Sequence, residues 1–214
     1  MCWLTRIMRV PLAACALLCG GAVMAVPYHV SIDTSALGIP SFLVAFDLID
    51  GGPPSNSLSV TGFATDGTLG VATSIGGVTG ALPGGFTLAD ASFFSEYLQV
   101  VQSANALAFD FEASTNAPAP GSAPDTFSFF LLDSQSGLPL FGTTDTTASD
   151  SLFTLEIDGR QSGQLTVFQP TTTGPTATWS VTGAPQPVPE PATPLLFAAA
   201  ILAAATMIRG NRKV

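Results

Sequence analysis

The chain has 214 residues, enough for one ordinary domain with targeting segments at its ends. Its formal charge of −9 is unevenly spread: between Val26 and Pro187 fourteen carboxylates face one basic residue, Arg160, so this body stands at −13. Such a field repels phosphate backbones and excludes nucleic acid as a partner. All three cysteines, Cys2, Cys15 and Cys19, precede the body, which excludes disulfides and thiolate metal sites within it.

Residues 1–25 read as a signal peptide. Arg6 and Arg9 form a charged n-region, Val10 to Gly21 is an apolar run, and Ala22-Val23-Met24-Ala25 suits the cleavage positions. Signal peptidase is expected to cut after Ala25; the alternative is an uncleaved signal anchor. Leu12-Ala13-Ala14-Cys15 imitates a lipoprotein box, but Arg9 stands only six residues before Cys15 and leaves too short a hydrophobic run.

Residues 26–183 carry the period of β-strands. Tyr28 to Asp33 alternates, and Ser41 to Ile49 places Phe42, Val44, Phe46 and Leu48 on one face. Leu58 and Val60 continue the pattern, as do Leu107, Phe109 and Phe111, then Phe127, Phe129 and Leu131. Phe153, Leu155 and Ile157 lead through a Gly159–Gly163 turn to Leu165 and Val167, a hairpin signal. Thr176 to Val181 supplies a last strand. Ten glycines between positions 50 and 90 make that stretch turn-rich. One segment, Thr87 to Leu98, has Phe93, Phe94, Tyr97 and Leu98 at helical spacing, with Asp90 or Ser92 as a cap, and admits one short helix. Seven to nine short strands predict an all-β fold, a jelly-roll-like β-sandwich ectodomain held by packing alone.

The body holds little catalytic chemistry. Its one histidine, His29, sits in the first strand without a Gly-x-Ser-x-Gly elbow anywhere, and one histidine cannot build a zinc site. Asp110 with Glu112, and Glu156 with Asp158, lie at i, i+2 and share a strand face, a spacing a glycosidase could use. Alternation against Phe109, Phe111, Leu155 and Ile157 explains both pairs as solvated faces. Calcium is the more plausible ligand, because hard cations take carboxylate oxygens from loops. Asp47, Asp50 and Asp133 are the candidates, with Asp145 and Asp150 in similar places, although no Asp-x-Asp-x-Asp-Gly loop occurs. No other cofactor is expected.

The C-terminus is more specific. Residues 184–191 form a Pro-rich linker ending in Pro189-Glu190-Pro191. Residues 192–208 carry no charge, and seventeen residues at about 1.5 Å each nearly span a bilayer core as one transmembrane helix. Arg209, Arg212 and Lys213 in the basic tail, 209–214, stop the segment and hold that end in the cytoplasm. Pro-Glu-Pro, apolar helix and basic end, in that order, resemble the PEP-CTERM sorting signal of Gram-negative bacteria. The resemblance covers Val188 to Val214. It implies recognition of Pro189-Glu190-Pro191 by exosortase, removal or transfer of the tail, transient residence in the inner membrane, and release to the cell surface or extracellular matrix. Such proteins commonly accompany exopolysaccharide. The body is also similar to an uncharacterised family within that group, over Phe46–Gly52, Thr126–Asp133 and Ser136–Leu140; this implies architecture and no chemistry.

The expectation is therefore a non-catalytic exported surface or matrix protein. A carbohydrate- or calcium-binding module is the alternative, weakened for glycans by the scarcity of Trp and Tyr in the body: Trp179, Tyr28 and Tyr97. A glycan-active hydrolase would need two facing carboxylates in a cleft.

Overall fold

The computed structural model describes residues 27–160, 163–171 and 173–183. The expected signal peptide, linker, membrane segment and basic tail lie outside these residues. Among the described residues no helix is long and apolar enough to cross a membrane.

Twelve strands follow one another among the described residues: β1 (Tyr28–Asp33), β2 (Ser41–Ile49), β3 (Ser57–Thr65), β4 (Thr68–Ile75), β5 (Gly77–Ala81) and β6 (Gly85–Ala89), then β7 (Phe94–Gln102), β8 (Ala106–Ala113), β9 (Asp125–Asp133), β10 (Phe153–Ile157), β11 (Gln164–Val167) and β12 (Thr178–Gly183). One 3-10 turn, Ser35–Leu37, is the helical element among the described residues. The strands form two six-stranded antiparallel sheets. The first has the order β12-β1-β8-β3-β6-β5, and the second β11-β10-β9-β2-β7-β4.

The topology is that of a long antiparallel ribbon folded over on itself. β1 pairs β8, β2 pairs β7 and β3 pairs β6, so the pairs are nested, and consecutive strands alternate between the sheets up to β4. This is the winding of a jelly roll. β9, β10 and β11 extend the second sheet beyond β2, and β12 closes the first beside β1.

Alternation drives the burial. In β2, Phe42, Val44, Phe46 and Leu48 are fully buried, and the residues between them point to the other face of the sheet, where Leu43 and Asp47 are half-buried and Ala45 is buried. Phe46 sits between the sheets with ring centroids 5.1 Å from Phe86, 5.2 Å from Phe109 and 4.9 Å from Phe129, all edge-on. Those rings come from β6, β8 and β9, so one side chain ties both sheets. Phe111, Phe127 and Phe153 continue the cluster. Burial of a phenylalanine contributes about 1.5–3 kcal/mol and each ring pair about 0.5–1.5 kcal/mol more. This cluster does the work that cross-links do in many exported domains.

The structure corrects two expectations. Among the described residues the strands number twelve rather than seven to nine, because the glycine-rich stretch holds β4, β5 and β6 at the margin of both sheets. The segment Thr87 to Leu98 is not helical: it ends β6, turns at Asp90–Phe93 and begins β7. In β7 the inward positions include Ser95 and Gln99, while Phe94, Leu98 and Val100 face outward. Polar residues inside and apolar residues outside break the usual alternation and imitate helical spacing. The inward groups are satisfied: Ser95 Oγ donates to Ala89 O at 2.7 Å, Gln99 Nε2 to Gly70 O at 2.9 Å, and Tyr97 OH to Gln99 Oε1 at 3.0 Å.

Candidate functional site

The turns at one end of the sandwich bring three carboxylates together. Asp50 follows β2, Asp90 follows β6 and Asp125 opens β9, so both sheets contribute. One oxygen of each lies within 4.8 Å of the others. Asp90 and Asp125 are buried and Asp50 is half-buried.

The backbone around them is fixed by close packing. Gly51 crosses the 123–124 segment so tightly that a Cβ there would run into the carbonyl oxygens of Ala123 and Pro124. That approach lets the Gly51 N–H donate to Asp125 Oδ1 at 2.7 Å, while the Gly52 N–H donates to Asp50 Oδ1 at 2.6 Å. Asn56, itself buried, is the organiser. Its backbone N–H donates to Asp90 Oδ2 at 2.5 Å and its Nδ2 to Asp125 Oδ2 at 2.7 Å. Its Oδ1 accepts from Ser114 Oγ at 2.6 Å and from the Asn116 N–H at 3.2 Å. Burial holds the Asp125 carboxyl above its ordinary range; Gly51 and Asn56 pull it back, and the neighbouring Asp90 pushes it up again.

Three carboxylate oxygens are hard donors that suit a divalent cation of the calcium kind. Asp50, Asp90 and Asp125 are the residues that would hold it. Of the sequence candidates, Asp50 belongs to this cluster, and Asp47 and Asp133 do not. Asp133 ends β9, the strand that Asp125 begins, and its Oδ1 accepts the Ser136 N–H and hydroxyl at 2.7 and 2.8 Å, which lowers its pKa. Asp47 lies on the outer face of β2 opposite Glu96. Asp145 is the clasp of its own loop: burial pushes its carboxyl up, but the hydroxyls of Ser149 at 2.6 Å and Ser151 at 2.7 Å and the N–H and hydroxyl of Thr147 at 2.8 Å pull it well below the usual range. Asp150 Oδ1 accepts the Thr143 N–H at 2.8 Å.

The two spaced acid pairs do not face each other. Asp110 and Glu112 project from β8 in the first sheet, Glu156 projects from β10 in the second, and Asp158 follows that strand. His29 Nδ1 meets Asp110 Oδ1 at 2.7 Å on exposed surface, and Asp158 engages Arg160 at 3.2 Å. A shallow depression of about 320 Å³ over β1, β3 and β8 holds one carboxylate, Asp66. It accepts from the Asn105 N–H and side chain and from the Ala106 N–H, at 2.8 to 3.1 Å.

The second functional element lies outside the described residues. Positions 187–213 match the family model of the PEP-CTERM protein-sorting motif. The chain carries this sorting motif. Motifs of this kind mark exported proteins for sorting by exosortase. The sorting motif spans Pro189-Glu190-Pro191, the uncharged segment and the basic residues Arg209, Arg212 and Lys213. No curated protein and no solved structure matches the chain.

Proposed function

We propose that the β-sandwich is a non-catalytic module of the cell surface or extracellular matrix, delivered by exosortase through Pro189-Glu190-Pro191. The observation that carries this reading is the sorting motif at 187–213. Signal peptidase removes residues 1–25, the segment 192–208 holds the chain in the inner membrane during passage, and exopolysaccharide is the matrix partner. Two features support a non-catalytic body. Its acid pairs point away from one another, and its single histidine is paired to Asp110 on open surface. The test is intact mass and cell fractionation of the protein with and without Pro189-Glu190-Pro191 replaced by alanines. Loss of the tail and departure from the membrane by the wild type alone supports the reading. Retention of the tail in both makes it an ordinary anchor.

A second reading concerns the body alone. Asp50, Asp90 and Asp125, with oxygens within 4.8 Å, favour calcium at that end of the sandwich. A ligand that binds only the folded state raises the unfolding temperature with concentration. A rise with calcium that disappears in Asp90→Asn supports it, and an unmoved transition in excess calcium removes it.

A further inference from the structure

The two outer faces of the sandwich differ in kind. On the first sheet the outward residues of β1, His29, Ser31 and Asp33, lie beside Asp110 of β8 and Thr61 of β3, an ordinary polar face. On the second sheet the outward positions of β9, β2 and β7 line up in rows. Leu132, Leu43 and Val100, all half-buried, form one row, and half-buried Phe130 and Leu98 flank the buried Ala45 in the next. Beyond them Ile49 stands opposite Phe94, and Ile75 of β4 stands opposite Glu96; Ile49 and Ile75 are 40% and 53% exposed. An acidic exported body has no solubility reason to keep such a face, and contiguous apolar surface marks interaction sites.

Two carboxylates stand in the middle of it. Asp47 of β2 is in direct cross-strand register with Glu96 of β7, an arrangement that is repulsive when both ionise. Asp47 Oδ1 is the one buried side-chain oxygen or nitrogen, among the described residues, without a hydrogen-bond partner. The single cation of the body, Arg160, is engaged with Asp158. The acids in this face are therefore not neutralised from within.

We propose that the outer face of the second sheet docks a polypeptide segment presenting an apolar strip centred on one lysine or arginine, whose cation seats between Asp47 and Glu96. The cation answers the charges of the facing Asp47 and Glu96, and the leucine and phenylalanine rows supply the apolar contact. Size agrees with a segment. Four strands about 4.8 Å apart and four rows about 6.7 Å apart give a patch of about 14 Å by 20 Å. That is roughly 300 Å², over a third of the area one partner contributes to a standard protein interface. A second copy fits less well, because face-to-face pairing would set these carboxylates against their own copies. An anionic lipid surface is repelled by a body at −13.

The test uses the full chain in nanodiscs and three fluorescent helical peptides of about 14 residues, which span about 20 Å. Each has an apolar face of leucine and alanine with lysine, leucine or glutamate at its centre. At pH 8 the lysine peptide is expected to bind at least tenfold tighter than the glutamate peptide. In the double variant Asp47→Asn, Glu96→Gln the preference falls below twofold, while Asp110→Asn on the other sheet keeps it. Equal binding of all three peptides, a preference that survives in the double variant, or no binding at all overturns the proposal. So does self-association of the chain that Leu98→Asp abolishes, since the face would then belong to a second copy.

Discussion

Asn56 Nδ2 donates a 2.7 Å hydrogen bond to Asp125 Oδ2, joining the loop before β3 in one sheet to the first residue of β9 in the other. The same asparagine gives its backbone N–H to Asp90 and takes hydrogen bonds from Ser114 and Asn116. Removing its side chain takes one of two donors from the buried Asp125 and leaves Ser114 Oγ and the Asn116 N–H without this acceptor. Asn56→Ala is expected to cost about 2–4 kcal/mol in urea unfolding. Asn56→Asp is expected to cost more, because it adds a carboxylate to Asp90 and Asp125, and calcium should recover part of the loss if the cluster holds a cation.

The core offers a sharper test of what replaces disulfides. Phe46 touches Phe86, Phe109 and Phe129 across both sheets and is fully buried. Phe46→Ala should cost about 3–5 kcal/mol, and Phe46→Leu clearly less, read as the shift in urea midpoint at unchanged slope.

Two aspartates set the acid and alkaline sides of stability in opposite directions. Asp47 is raised from 3.8 to about 7, first by burial and then by the charge of Glu96. Glu96, itself raised by burial, and Glu156 two strands away are the other titratable groups on this face among the described residues. A carboxyl raised in the folded state binds its proton more tightly there than in the unfolded chain. Its stabilising effect is complete below pH 4 and is lost as pH rises through about 7. Asp47→Asn should therefore be more stable than the wild type by about 2–4 kcal/mol near pH 8, with the gap closing toward pH 4 in urea titrations.

Asp145 acts the other way. Its lowered carboxyl stabilises the 143–151 loop above its unfolded value near 4, and that contribution is lost as pH falls below it. Asp145→Ala should destabilise by about 2–4 kcal/mol at neutral pH, because Thr147, Ser149 and Ser151 lose their acceptor, and by less in strong acid. Thermal melts of the variant and wild type across pH check this.

Strands such as β2 and β8 were legible because their apolar residues fall on every second position and face the core. β7 was not, since Ser95 and Gln99 point inward and Phe94 and Leu98 outward, a pattern readable only once their hydrogen bonds are known. Asp50 could be singled out beside its glycines. Asp90 and Asp125 lie forty and seventy-five positions further on, and only the nested strand pairing brings them to it. No local signal marks such a site; a buried asparagine between two acids is its nearest trace. The sorting motif is legible because it is a contiguous string that another protein reads.

β1 lies between β8 and β12, with Tyr28 facing Gly183 at one end of the sheet. A chain crossing a membrane amino end first thus delivers a strand whose neighbours arrive about eighty and a hundred and fifty residues later. Contacts of such long range form slowly. The ribbon cannot close until β12 has emerged, and residue 187, where the sorting motif begins, is four positions behind. In such a passage the fold can begin to close only when the sorting motif is about to come into view.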